Sequence, residues 1–266
     1  MNKNSKGDIF SLNKHLIYRW DLIYCLVDRN IKILYKRSSL GILWMLIKPL
    51  LTLCIYGFVF RSIIPVKLPF FTSYVFTGLL FWNWFNNSVS QCTGVIVQNV
   101  NLIKQPYFPI NILPIVIVIT EWIHLLLAIP ILFFFILWES VPLEPVIFLL
   151  PFLMLLQFTL ILSIGCVLAA INVTFRDTQH TVSILLQMLM YLSGIFYDIN
   201  TLKPEYQSLL YLNPMVHLLN SYRSIIIYGE FPSLFNLVYL CLLSVCLLPI
   251  GIWIFRKQSC YFVEEL

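Results

Sequence analysis

"ILPIVIVITEWIHLLLAIPILFFFIL", residues 112–137, is a long apolar run whose only ionisable groups are Glu121 and His124. A bilayer core of about 30 Å is crossed by a helix of about 20 residues, so a run of this kind predicts a membrane span. Comparable runs flank it at about 41–64, 70–97, 146–172, 182–199 and 235–255. With 60% hydrophobic and only 11% charged residues, the chain has too little polar sequence to cover a sizeable soluble domain. The expected architecture is therefore an all-α integral membrane protein of about six transmembrane helices. Residues 40–266 form its membrane domain, and residues 1–39 form a cytoplasmic N-terminal segment.

That N-terminal segment has a different pattern. Leu16, Trp20, Ile23, Val27, Ile31 and Leu34 recur at steps of three and four, while Lys14, Asp21, Asp28, Arg29, Lys32 and Lys36 fill much of the remainder. A basic amphipathic helix carrying Trp and Tyr is expected to lie in the membrane interface. At the other end of the chain, residues 200–232 hold two short apolar-periodic stretches split by Asn213-Pro214 and closed by Gly229 and Pro232. Neither stretch is long enough to span, so they predict two short re-entrant helices between spans five and six, arranged as a gate. Arg223, on the second of them, is expected near the outer surface, paired with an acidic residue or a substrate phosphate.

Charge sets the orientation. Lys3, Lys6, Lys14, Arg19, Arg29, Lys32, Lys36, Arg37, Lys104, Arg176, Arg256 and Lys257 fall on one side of the predicted membrane, against Arg61, Lys67, Lys203 and Arg223 on the other. The positive-inside rule then places both termini in the cytoplasm of a multi-pass protein of the cytoplasmic (inner) membrane.

Several chemistries lack their residues. The chain contains no GxxxxGK[ST] phosphate loop and no Gly-Lys pair, so it is not expected to hydrolyse nucleotide by that route. Its seven cysteines are scattered without a CxxC pair, which argues against a metal site or a disulfide framework. No nucleic-acid motif accompanies the net charge of +5. Glu121 and His124 share a helical face, but an E-x-x-H pair makes a carboxylate-bridged metal site only with a second such pair, and none is present. They are expected to be a hydrogen-bonded pair at a helix contact. Lys48, before the kinking Pro49 in the first span, must snorkel or face a wet cavity. Tyr56, Phe60, Tyr191 and Tyr197 are candidates to line a passage, because aromatic faces stack on sugar rings.

"DRNIKILYKRSSLGILWMLIKPLLTLCIYGFVF" at 28–60 resembles the opening of the membrane subunits of type-2 ABC exporters for O-antigen, capsular polysaccharide and teichoic acid. "GLLFWNWF" at 78–85, "NLIKQPYFPINILPI" at 101–115, "NVTFRDTQH" at 172–180 and "LNPMVHLLNSYRSIIIYG" at 212–229 are similar to that family as well, in its order. The resemblance implies a permease subunit without an ATPase site of its own. It would work as a homodimer with two copies of a separate ATPase that binds ATP and Mg, and would export a lipid-linked polysaccharide. It further implies ATPase contact through Lys104, Gln105, Pro106, Tyr107, Phe108 and Pro109, and through Arg176 and Asp177. The gate would centre on Asn213, Pro214 and Arg223. Stiffened by its prolines, the first joint is expected to present both Tyr107 and Phe108 to the cytoplasm. A sugar polymer needs a wet path that one protomer is too small to enclose, so two protomers are expected to meet across their first and fifth spans. Lys48 departs from the family pattern, which has a neutral or acidic polar residue before the proline, and its charge is expected to meet the carrier's pyrophosphate. The competing expectation is a polytopic acyltransferase or glycosyltransferase acting on lipid-linked sugars. That would need a general base or a metal-binding carboxylate cluster at the membrane face, and Asp177 lacks such partners.

Overall fold

A computed structural model describes residues 4–35, 43–59 and 69–265. Among them the regular elements are helices, and no strand occurs: α1 (Asn4–Tyr35), α2 (Leu43–Phe58), α3 (Phe71–Gln98), α4 (Val100–Ile103), α5 (Ile112–Trp138), α6 (Leu150–Thr174), α7 (Thr178–Tyr191), α8 (Pro204–Leu210), α9 (Pro214–Ile226), α10 (Leu234–Ser259) and α11 (Phe262–Glu265). Among the described residues, three helical segments are long and apolar enough to cross a bilayer: Ile112–Trp138, Pro145–Thr174 and Leu234–Ser259. The Pro145–Leu149 stretch that leads into α6 is a 3-10 turn. Helix α3 has the length of a span but carries a polar stripe described below. For the expected first span, the helix Leu43–Phe58 is described, whereas residues 60–64 lie outside the described residues.

The bundle is built on α3, α5, α6 and α10. Small residues let these helices approach closely, as is usual where lipid gives helices no hydrophobic reason to associate. A Cβ on Gly165 of α6 would meet the Cys92 Cβ of α3 at 2.9 Å, and one on Gly251 of α10 would meet the Ser163 carbonyl oxygen of α6 at 2.6 Å. The aromatic run of α3 packs inward: Phe81, Trp82, Trp84 and Phe85 are all buried. Two buried side chains of the bundle find partners on backbone carbonyls, as polar groups in an apolar interior generally do. Gln157 donates to the Phe81 carbonyl at 2.8 Å, and the Trp84 indole to the Val118 carbonyl at 3.4 Å.

Helix α1 lies along α5, with Leu26 and Val27 buried and Ile23 and Ile31 packed beside them. Its other face leaves Ile17, Tyr18, Trp20 and Tyr24 exposed, so Trp20 is not part of the packed stripe. On the polar side Lys32 donates to Asp28 at 2.7 Å, and that carboxylate holds the exposed ammonium above its ordinary pKa.

Two elements depart from the expected spans. The helix in the fifth span starts at Thr178 and stops at Tyr191, whereas the sequence suggested a run of about 182–199. At about 1.5 Å per residue its 14 residues reach about 21 Å, short of a bilayer core. Residues 192–198 form a turn instead, with Gly194 at φ +66°. Apolar composition does not distinguish a buried turn from more helix. In the segment after it, α8 and α9 flank Asn213-Pro214. Asn213 caps α9 by accepting from the Met215 amide at 3.0 Å, with Pro214 at the first helical position. Helix α9 does not lie on a surface. Ten of its 13 residues are buried, against α3, α6 and α10.

Glu139 makes a long-range helix cap. Phe70, before α3, adopts a left-handed conformation and offers no cap of its own. The Glu139 carboxylate, beyond the end of α5, accepts from the Thr72 amide at 3.1 Å and the Ser73 amide at 2.9 Å. Two orphan donors at the positive end of a helix are thus satisfied by one anion. We expect Glu139→Ala to lower the stability of the purified protein by about 1–2 kcal/mol, and Glu139→Gln to retain part of it. The check is thermal unfolding followed by Trp fluorescence.

Candidate functional site

Three features of this bundle carry polar chemistry. The first is a cavity of about 990 Å³ between α2, α3 and α5, bounded by Pro49, Thr52 and Trp84. Asn83, Asn87 and Gln91 line it from α3 at steps of four, and Glu121 and His124 line it from α5. The four-residue step stacks the three carboxamides along one face of α3. Glu121, only 4% exposed, accepts from Gln91 Nε2 at 2.6 Å and from Asn87 Nδ2 at 3.3 Å, and lies 3.3 Å from His124 Nδ1. His124 Nε2 is buried and has no partner among the described residues. The Glu121–His124 contact is thus one part of a wall that also takes in α3. Sequence inspection missed the α3 members because the aromatic residues around Asn83 drew attention to packing. The missed signal was the N-x3-N-x3-Q spacing inside an otherwise apolar run.

The second feature is the turn at 192–198. Arg223 is 2% exposed and donates from Nη1 to the Gly194 carbonyl and from Nη2 to the Ile195 carbonyl, both at 2.9 Å. Its guanidinium carbon stands 3.6 Å over the Tyr74 ring. The expected surface pairing with an acidic residue or a phosphate is therefore corrected: Arg223 is inside the bundle and binds backbone carbonyls. Gly78 leaves room for it, since a Cβ there would meet Arg223 Nη2 at 2.8 Å. Tyr74 donates to the Tyr197 carbonyl at 3.3 Å, Tyr197 to the Tyr191 carbonyl at 2.9 Å, and Asn213 to Ser193 Oγ at 2.9 Å. Asn213 and Arg223 therefore meet at the same turn. Pro214 starts the helix that carries Arg223.

Among the candidate lining residues, the structure brings together Tyr191, half exposed on α7, and Tyr197. Helix α2 packs mainly on α3 and α5, and α7 on α3 and α6. Lys48 and Tyr56 sit on α2, but their side chains lie outside the described residues, and so does Phe60.

The third feature is the end of the bundle where the two joints meet. Helix α3 finishes beside the second joint, since a Cβ on Gly94 would meet Gln98 at 2.6 Å and Gln179 at 2.8 Å. The first joint follows from Asn99. Within it Lys104, Gln105 and Pro106 are exposed, and Tyr107 is 100% exposed at φ +62°. Phe108 turns back and, with Pro109, is only partly exposed, its ring packed against the core. The expectation that both aromatics project is corrected: Tyr107 projects and Phe108 anchors. In the second joint Arg176 and Asp177 are exposed beside a groove of about 850 Å³ that also includes Phe175, Thr181, Leu185 and Glu265. Thr174 Oγ1 donates to Glu265 at 2.9 Å and fixes α11 against the joint.

Among the described residues no group of three or more His, Cys, Asp or Glu is placed to hold a metal ion. The cavity and the exposed joints belong to one helical bundle with three segments long and apolar enough to cross a membrane among the described residues. Residues 21–227 match the family model described as ABC-2 type transporter, and the chain belongs to that family. It is 34% identical over 248 residues to the O-antigen export system permease protein RfbA of Myxococcus xanthus, covering 92% of this chain and 95% of the relative. It is 27% identical to the protein of the same name from Klebsiella pneumoniae, over 95% and 97% of the two chains. The polysialic acid transport protein KpsM of Escherichia coli is 26% identical over 87% and 91%.

The packing of α9 makes a direct prediction. In a Cys-depleted background, a cysteine at Leu212, which is 71% exposed, should react quickly with a hydrophilic maleimide. One at Leu219, which is fully buried, should react at least tenfold more slowly until the protein is denatured. Equal rates would place α9 on the surface.

Proposed function

We propose that this chain is the membrane subunit of an ABC transporter that exports a lipid-linked polysaccharide of the O-antigen, capsule or teichoic-acid type across the cytoplasmic membrane. The observation that carries this reading is the carboxamide-lined cavity. A sugar polymer carries many hydroxyls, and each one moved out of water without a partner costs on the order of several kcal/mol. Carboxamides offer donor and acceptor on the same group, so Asn83, Asn87 and Gln91 supply partners that an apolar bundle otherwise lacks. The relatives named above are O-antigen export system permeases and a polysialic acid transport protein, which supports the same substrate class.

In this proposal two copies of the chain face one another and enclose the wet path, and two copies of a separate ATPase bind ATP and Mg. The first joint meets the ATPase through Tyr107, with Phe108 as its anchor in the bundle, and the second through Arg176 and Asp177. An exposed aromatic held in a stiff turn is well suited to fill a partner's pocket. Both termini lie in the cytoplasm, as the lysine and arginine distribution favours. Arg223, Asn213 and Pro214 set the outer turn that closes the path. Lys48 meets the carrier's pyrophosphate beside the Pro49 kink, and Tyr56, Phe60, Tyr191 and Tyr197 stack on passing sugars.

Three variants test the proposal. Tyr107→Ala should leave the amount of the complex unchanged but reduce permease-stimulated ATP hydrolysis and export several-fold. Phe108→Ala should lower the yield of folded protein as well, because it removes packed surface. The paired substitution Asn87→Leu with Gln91→Leu should cause polymer to accumulate inside cells while ATPase assembly stays normal. Parental export by that variant would remove the cavity from the path.

A further inference from the structure

A second cavity, sharing no lining residue with the first, lies between α1, α5, α6 and α10. It encloses about 250 Å³. Three helices build it the same way. Arg19 on α1, Asn111 at the start of α5 and Arg256 in the last turn of α10 line it, each four residues from an apolar lining residue: Ile23, Ile115 and Ile252. Four residues are about 6 Å along a helix, so on each helix a polar residue stands one turn from an apolar one. The lining from α6 is Leu162 and Cys166, and Phe255 completes it.

The polar residues are electrostatically one-sided. Neither guanidinium has an ion-pair or hydrogen-bond partner among the described residues, and no carboxylate lines the cavity. The Asn111 side chain makes no cap bond, while the Ile112 and Leu113 amides that open α5 donate to the Pro109 and Ile110 carbonyls. On the exposed side stands Trp20, 66% exposed, beside Tyr18, the residue types enriched where a membrane meets water.

We propose that this cavity binds an anionic phospholipid, with its phosphate held between Arg19 and Arg256 and part of an acyl chain in the cleft. A free phosphate would satisfy the arginines but leave the apolar walls unfilled. A neutral lipid would fill the walls but leave both exposed guanidiniums to water. Only a ligand with both parts matches the zoning, and basic clefts between membrane helices are known to select such headgroups. Its lining shares no residue with the carboxamide cavity, which separates it from the proposed export path. Bound there, the lipid bridges α1 to α5 and α10 and holds the amphipathic helix against the bundle.

The test uses the transporter complex purified in mild detergent, with lipid retention read by native mass spectrometry and stability by thermal unfolding. Phosphatidylglycerol should remain as an adduct and raise the unfolding temperature. Phosphatidylcholine with the same chains, and glycerol phosphate without chains, should do neither. Removing one arginine should weaken phosphatidylglycerol binding about fivefold, and Arg19→Gln with Arg256→Gln about twenty-five-fold. Ile115→Trp, which fills the cleft, should abolish the adduct while both arginines remain. Equal stabilisation by phosphatidylcholine, an undiminished adduct in the double variant, or an equal effect of glycerol phosphate would overturn the proposal. So would preferential binding of a polyprenyl phosphate, which would assign the cleft to the substrate's carrier. Because the readout is lipid binding and not export, failure here leaves the transport reading standing.

Discussion

The fold depends on where the Arg223 charge goes. A guanidinium inside an apolar bundle needs partners for its charge, because an unpaired buried charge costs several kcal/mol; Arg223 meets this through its two terminal nitrogens, while its Nε has no partner among the described residues. Here two of its nitrogens reach the carbonyls of Gly194 and Ile195, which helix α7 leaves open by stopping at Tyr191, and its face meets Tyr74. Each partner solves the other's problem: the turn supplies acceptors, and the arginine supplies donors that no water is needed to replace. The left-handed Gly194, the missing side chain at Gly78 and the burial of α9 all follow from bringing these groups into contact. Exposing Arg223 to the surface would strand two carbonyls inside the bundle.

Much of the architecture was legible in the sequence because it rests on length and apolarity. Ile112–Trp138 and Leu234–Ser259 stand within a few residues of the runs that announced them, and Asn213-Pro214 divides α8 from α9 because proline lacks an amide donor. The failures have a common cause. "GIFY" at 194–197 is as apolar as a helix, but its backbone is satisfied by side chains more than 20 residues away or on another helix. Arg223 looked exposed because charge normally is, and only the three-dimensional arrangement shows which carbonyls receive it. Phe108 and Tyr107 are adjacent aromatics of similar composition. Their opposite fates depend on a single left-handed residue that no spacing rule reports. The carboxamide wall lies between these extremes: its spacing is plain in the sequence, but its partner on α5 is 30 residues away.

The two cavities divide the work of α5. Its Glu121 and His124 face the carboxamides of α3, and its first turn joins the basic cleft with α1 and α10. Glu139, just past its end, holds the start of α3. Helix α5 is therefore tied to α3 by polar contacts in its middle and just past its C-terminal end.

A wall of carboxamides also has a mechanical character. Each amide can turn and present a donor where it presented an acceptor, so a chain of hydroxyls shifting along it exchanges one hydrogen bond for another of nearly equal strength. Charged side chains would grip particular groups and create deep wells between steps. With Glu121 already held by Gln91 and Asn87, the lone anion of the wall is prevented from acting as such a trap. On the proposed export path such a surface would be smooth in energy although rough in shape, and low friction along it would let a modest push from one end move a long polymer.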